Sequence, residues 1–426
     1  MIRTISAIGS LLLATAILYA GNGLQGTLLA VRGDLEGFPT AVIGALTSAY
    51  FAGFILGCRF VPKTIKTVGH IRTFVALASV ASSSALAHVM FVDATAWAVL
   101  RFITGFSFAG LTMVLESWIN ERATNENRGK ILSVYRIVDL GAVTIGNALL
   151  ATASPSGFYL FVLVSILISI ALVPIALTQV HSPAPLETAK LDIRKLYKTS
   201  PVGAVGAAAT GLANAAFWGV APVFVQKSGY APAMVAAFMS TAIIGAGVFQ
   251  FPMGALSDRI DRRFVIIGSS LLGAGAALLV AMLAGTSQTA LLGLAFLFGG
   301  LIIPTFGICA AHANDHAAPG QAVATSGGLL LLHGLGSTVG AMAGAVAMSV
   351  FHPAALFVYI AMVYFGLAGF AFVRMNARAA AAIKRPYIPM VKSPLTRVYN
   401  KLVNPDRKAG SSGEVDGKDA ANTSQP

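Results

Sequence analysis

The chain has 426 residues, 56% of them hydrophobic and 11% charged, with a formal charge of +13 and a mean hydropathy of +0.77. So few charges cannot coat a water-soluble domain of this size, and the composition reads as an all-α integral membrane protein. Two cysteines, Cys58 and Cys309, both inside apolar runs, exclude a disulfide framework and a Cys/His metal site, so no cofactor is expected.

A crossing takes about 20 mostly apolar residues. Twelve such runs follow one another, at 5–31, 40–61, 73–92, 96–118, 131–152, 157–178, 201–225, 232–254, 264–284, 289–311, 322–350 and 354–373. The first resembles a secretory leader, but eleven later spans and no small-x-small cleavage site favour an uncleaved helix. With both termini cytoplasmic, 25 of the 29 basic residues share one face; Arg32 and Lys227 lie on the other, and Arg101 and Arg136 lie within spans. The charge is therefore a topology signal for a multi-pass protein of the cell inner membrane. Lipid bilayer is the expected partner, and nucleic acid is not.

In the first span, "YAGNGLQG" sets Asn22 and Gln25 among Gly21, Gly23 and Gly26. Two readings stand: amides offered to cargo, or helix-helix glue. His88 in the third span reads as structural. Spans four and five carry Arg101, Glu116, Arg136 and Asp139, and charge inside a bilayer is kept for function or pairing. Glu116 and Arg136 lie at similar depth on adjacent antiparallel helices, so they are expected to pair as a structural salt bridge, with gating or coupling as the alternative. Asp139 lies three residues beyond Arg136 on nearly the same face, where it either shares that arginine or carries a proton.

The polar stretch Thr178 to Ser200 divides the spans six and six. The expected organisation is a bundle over 1–178, a cytoplasmic linker over 179–200, a second bundle over 201–375 and a largely disordered cytoplasmic tail over 376–426. Within that tail, "KRPYIPMVKSPLTRVYNKL" alternates basic and apolar residues and has an inner-leaflet reading. In the seventh span, "ANAAFWGVAP" places Asn214 beside Phe217 and Trp218. Stacking plus an amide would suit a planar heterocycle or vitamin, while an aromatic belt explains the rings equally well.

A shift of 192 residues aligns "EGFPTAVIGALTSAYFAGF" with "SGYAPAMVAAFMSTAIIGA" without a gap and sets Asn22 on Asn214. Two repeated halves related by a pseudo-two-fold axis follow, with the cargo site between them. His333, in span eleven, sits about one turn from the counterpart of Asp139. A buried neutral histidine is the default there, and a substrate or proton contact is the alternative.

The most specific motif is "GALSDRIDRR", Gly254 to Arg263. Glycine permits close helix approach, an aspartate at a helix start caps free N–H groups, and arginines anchor a basic face. This stretch resembles the major facilitator superfamily signature G-x-x-x-D-R-x-G-R-R, with Gly254, Asp258, Arg259, Arg262 and Arg263 in place and Asp261 where the second glycine is usual. The resemblance implies twelve transmembrane helices in two six-helix bundles, secondary transport by alternating access, and a conformational latch formed by these five residues. At the equivalent loop of the first half the sequence departs, with Pro62, Lys66 and Thr67 where Gly, Asp and Arg are usual while Gly69 keeps the later glycine, so that latch has lost its carboxylate and is weaker or differently paired.

"LRFITGFSFAG" sets Arg101 four residues before Gly105, similar to the fourth-helix motif of proton-coupled members. Snorkelling to the outer interface is the alternative. The fifth-helix stretch "GAVTIGNALLA" lacks the proline of antiporter members, which favours uptake or symport. Overall the chain is similar to bacterial riboflavin importers and to superfamily transporters of unassigned substrate, so riboflavin uptake by a monomer is the specific expectation. The rivals are a proton-coupled drug or metabolite efflux antiporter and, from another class, a membrane sensor or enzyme. No Walker loop and no nucleophile-base pair or metal cluster supports ATP-driven transport or catalysis.

Overall fold

A computed structural model describes residues 2–122, 128–177, 192–318 and 321–377 together with Lys384 and Tyr387. The remainder of the linker and of the tail, with the readings placed on them above, lies outside the described residues. Fifteen α-helices are described: α1 Ile2–Leu35, α2 Thr40–Val68, α3 His70–Met90, α4 Ala94–Arg122, α5 Arg128–Leu149, α6 Tyr159–Ile170, α7 Leu172–Ala176, α8 Ile193–Thr199, α9 Pro201–Lys227, α10 Pro232–Arg259, α11 Arg262–Leu283, α12 Gln288–Ile302, α13 Thr305–Asp315, α14 Ala322–Val350 and α15 Ala355–Ala377. They supply twelve apolar segments long enough to cross a membrane. Several helices run one or two turns past the apolar runs, because polar residues such as Arg32 and Lys66 extend them beyond the hydrocarbon.

Two spans are broken. The sixth divides at Ala171 into α6 and α7, and the tenth divides at Ile303 and Pro304 into α12 and α13. At the second break Pro304 removes a backbone donor and disfavours helix at the residue before it. The linker ends in α8, capped by Asp192 accepting from the Lys195 N–H, and Ser200 then caps α9 by accepting from the Gly203 N–H.

The sequence repeat reappears as geometry. Gly37 turns α1 into α2 at φ 76°, and Gly229, 192 residues on, turns α9 into α10 at φ 86°; a side chain is disfavoured at either position. Gly53 and Gly105 let α2 and α4 touch backbone to backbone, at Phe102 and Tyr50, and Gly245 and Gly299 do the same for α10 and α12, at Phe296 and Ala242. In lipid, where apolar burial drives little association, such contact is a main source of helix pairing. Gly105→Val is therefore expected to force α2 from α4 and cost about 1–3 kcal/mol, measured as a lower melting temperature in detergent.

Between the halves, α2 packs on α14, α5 on α10, and α1 on α9. Gly44 meets Ala341 and Ala345, Thr47 meets Gly219, and the Ser240 hydroxyl donates to the Thr144 carbonyl at 3.2 Å. Lys227 donates to Thr40 at 3.0 Å and lies 3.7 Å from Asp34. All these contacts lie toward the face opposite the basic loops. There the two halves are locked together.

Candidate transport site and latch

In the first half, α1, α2 and α4 bring Asn22, Tyr50 and Arg101 together. The Tyr50 hydroxyl donates to Asn22 Oδ1 at 3.4 Å, and the Arg101 guanidinium lies 4.4 Å from the centre of the Tyr50 ring. Arg101 is 6% exposed, and its Nη1 has no hydrogen-bond partner among the described residues. The snorkelling reading is thus overturned. The cation is held inside the bundle by an aromatic face, a contact that strengthens when desolvated. Gln25, one turn beyond Asn22, is fully buried with neither amide atom bonded among the described residues. A buried polar group left without a partner costs about 1–3 kcal/mol. Such groups are retained where something else completes them.

Tyr50 was missed in the sequence, where it is one ring in the apolar run "SAYFAGF" and nothing local marks its partners. In the second half, the Thr210 hydroxyl lies 3.3 Å from His333 Nδ1, and the His333 ring packs 4.4 Å from that of Phe306. Asn214 is buried on α9, the helix on which α1 packs, but no hydrogen bond joins it to Asn22. Phe217 is corrected to a core residue: it is 1% exposed, with ring centres 5.0 Å from Phe298 and 6.2 Å from Phe238. Trp218, about 100° further round the helix, is half-buried. The two rings still meet edge to face, their centres 5.2 Å apart, with the Trp218 ring on the more exposed side.

The charged residues of α4 and α5 are arranged differently from expectation. Arg136 Nη1 lies 2.6 Å from Asp139 Oδ2, and its Nε donates across the halves to Gln250 Oε1 at 3.2 Å. Glu116 instead accepts from the Tyr135 hydroxyl at 3.1 Å. The expected Glu116–Arg136 pair is overturned because one residue of helix rotation aims Tyr135 at α4 and Arg136 at α10. The Tyr19 hydroxyl lies 3.1 Å from that of Tyr135 and 3.2 Å from that of Thr112, extending a chain of hydroxyls through α1, α4 and α5. Among the described residues no group of three His, Cys, Asp or Glu could hold a metal.

At the latch, the capping residue is Asp261 and not Asp258, since α10 runs on to Arg259. Asp261 accepts from the Arg263 N–H at 3.0 Å and takes its guanidinium at 2.6 Å. Burial works against the charged form, but the side-chain and backbone hydrogen bonds from Arg263 outweigh it and hold the Asp261 carboxyl below the usual range. Arg262 is 1% exposed and donates to Asp315 at 2.7 Å and to Ser257 at 2.7 Å, with Asp258 3.0 Å away. Arg259 is exposed.

The neighbour that approaches Gly254 is not a helix but the ring of Tyr387, whose backbone N–H donates to both Asp258 oxygens at 3.0 Å. Burial pushes the Tyr387 phenol up to about 12, so it stays neutral. Tyr387 thus packs against α10 and α13.

The sequence pattern of the Major Facilitator Superfamily matches residues 11–341 and again 203–405. An uncharacterized MFS-type transporter, YcaD, of Salmonella newport is 26% identical over 363 residues, covering 84% of this chain and 91% of the relative. A variant of the nucleoside transporter NupG has the same fold, with a TM-score of 0.77 at 14% identity over 87% of this chain and all of that one. A bacterial homolog of the human lysosomal transporter Spinster, inward-facing and occupied, gives 0.68 at 15% identity over 86% of this chain and 96% of that one. The repeated bundles, the motif at Gly254 and these matches agree: the chain belongs to the Major Facilitator Superfamily, as a multi-pass membrane transporter and not an enzyme.

Proposed function

We propose that the protein imports a small organic solute bearing a planar ring by alternating access, and that riboflavin is its cargo. The observation that carries this reading is the polar group of Asn22, Gln25, Tyr50 and Arg101, set within spans one, two and four where lipid-facing helix would be apolar. The Tyr50 ring and Arg101 offer a stacking surface, and the amides offer hydrogen bonds to a heterocycle or a hydroxylated chain. Likeness to a nucleoside transporter fits, since a nucleoside also joins a planar heterocycle to a hydroxylated carbon skeleton.

In this reading the basic face is cytoplasmic, the membrane is the inner one, and the protein works as a monomer. The halves are 1–178 and 201–375, joined by the 179–200 linker and followed by the 376–426 tail. Closure at the opposite face then corresponds to an inward-open state, with Asn214, Trp218 and His333 contributing from the second half. Arg136 and Asp139 couple transport to protons, and Gly254, Asp258, Arg259, Arg262 and Arg263 act as the latch.

The test is growth of a riboflavin-auxotrophic host on low external vitamin. Rescue supports the proposal; no rescue with the protein present in the membrane overturns riboflavin, and net depletion of cell vitamin reverses the direction. Tyr50→Phe removes a single hydrogen bond of about 0.5–1.5 kcal/mol, so KM for uptake is expected to rise roughly 2- to 10-fold with the fold intact.

A further inference from the structure

Two carboxylates of the first half, Glu116 on α4 and Asp139 on α5, are each 2% exposed. A proton that reaches either one therefore travels over bonded groups. From Glu116 these groups run into the core: the Tyr135 hydroxyl donates to it at 3.1 Å, and the Tyr19 hydroxyl lies 3.1 Å from that of Tyr135. The register of α1 on α5 carries the line to Asp139. Gly23 packs on Val143 and Thr27 donates to Asn147, each pair 120 residues apart, so one turn earlier Tyr19 stands level with Asp139. Tyr135 and Asp139 are themselves four residues apart, on one face of α5. Depth orders the two ends. At 1.5 Å per residue, Glu116 is about 9 Å from the end of α4 at Arg122, and Asp139 about 16 Å from the start of α5 at Arg128, both on the basic side.

Around this line, Arg136 holds Asp139 at 2.6 Å and the neutral Gln250 of α10 accepts from the same guanidinium at 3.2 Å. His70 of α3 lies 3.4 Å from the hydroxyl of Ser117, the residue after Glu116, and Cys58 of α2 is half-buried. Arg59, Lys63 and Lys66 of α2 and Arg72 of α3 are exposed. The charged residues of α1, α9 and α10 stand at helix ends, and α6 and α7 have none.

We infer that Asp139, Tyr19, Tyr135 and Glu116 form a proton relay, with Glu116 as its port on the basic side. The inference deepens the proton-coupled reading of Asp139 and rests on it. Protonated Asp139 gives its proton to Tyr19 Oη as Tyr19 passes its own to Tyr135 Oη and Tyr135 passes its own to a Glu116 oxygen. One O–H bond is lost at Asp139 and one is gained at Glu116, while each phenol ends with the single proton it began with. Asp139, an anion again, then takes Arg136 back. Thr112, which the Tyr19 hydroxyl reaches at 3.2 Å, is a side branch of the line.

The test needs no cargo. Time-resolved infrared absorption of the full chain in lipid, after a pulse of photoreleased acid, follows the C=O band of each protonated carboxyl, with Glu116→Gln and Asp139→Asn assigning the bands. In the parent protein the two bands are expected to rise together. Tyr19→Phe and Tyr135→Phe should each delay the Asp139 band by at least about 10²-fold, the lower end of what a positioned proton-transfer group contributes, while the Glu116 band still rises promptly. Glu116→Gln closes the port and should delay the Asp139 band as much. Thr112→Val removes only the branch and should leave both rates unchanged. An Asp139 band that rises on time in either tyrosine variant overturns the relay, and Glu116→Gln decides in the same way where a tyrosine variant does not reach the membrane. Bands already that far apart in the parent protein overturn it too, as does an equal delay from Thr112→Val, which would mark a loosened core. Failure of riboflavin uptake leaves these rates readable, and uptake independent of pH with the relay intact overturns the coupling reading alone.

Discussion

Asp315→Ala is expected to leave little folded protein in the membrane. Arg262 and Asp315 are 1% and 2% exposed and 2.7 Å apart, joining the start of α11 to the end of α13. Removing one partner strands a buried charge, at a cost of about 3–5 kcal/mol. Asp258 offers Arg262 a second carboxylate at 3.0 Å, but at 35% exposure it is better solvated and a weaker substitute. The pair also closes on Ser257, so the loss reaches α10. Fluorescence-detected size exclusion of a tagged protein, with melting temperature, measures the effect. The double change Arg262→Met with Asp315→Leu should recover most of the folded protein, because an apolar pair replaces a buried ion pair without leaving either charge alone. A single variant that melts with the parent protein would show that Asp258 suffices.

That pair marks how far the sequence could be read. Hydropathy revealed the twelve spans because each carries its own signal over about 20 residues. The 192-residue repeat sets Gly37 on Gly229 and Gly53 on Gly245, and in the structure these pairs are two turns and two close helix contacts, since a repeated fold repeats its tightest backbone positions. Depth along a span follows from counting residues, and Tyr135, next to Arg136 in sequence, does reach Glu116. Rotation about the helix was not legible. A step of one residue turns a side chain by about 100°, enough to send Arg136 to Gln250 and to bury Phe217 while leaving Trp218 half-exposed. Asp261 was legible in principle, as an aspartate directly before a helix, yet the family pattern drew the capping role to Asp258. Tyr387 had no local signal at all, because its partners are supplied by α10 and α13 in the folded bundle.

Asp139→Asn is expected to abolish the pH dependence of uptake while preserving the fold. Asp139 is 2% exposed and its carboxylate holds Arg136 at 2.6 Å, while the same arginine reaches Gln250 of the other half at 3.2 Å. Arg136 is thus shared between a group that can take a proton and a group that belongs to the moving partner. Protonation of Asp139 would loosen its hold on Arg136 and leave Gln250 as the partner, so a proton taken up on one side alters the contact between the halves. Asparagine keeps the size and an acceptor oxygen but cannot change its charge. Uptake should therefore run at one rate from acidic to neutral pH, whereas the parent protein should be faster in acid. Gln250→Leu separates coupling from simple burial, because it removes the contact across the halves while leaving the Arg136–Asp139 pair in place. If the scheme holds, both variants flatten the pH profile of protein that still folds and reaches the membrane; a profile that survives Asp139→Asn removes that carboxylate from coupling. A profile that survives only Gln250→Leu leaves Asp139 as the proton carrier and sends its signal through another contact.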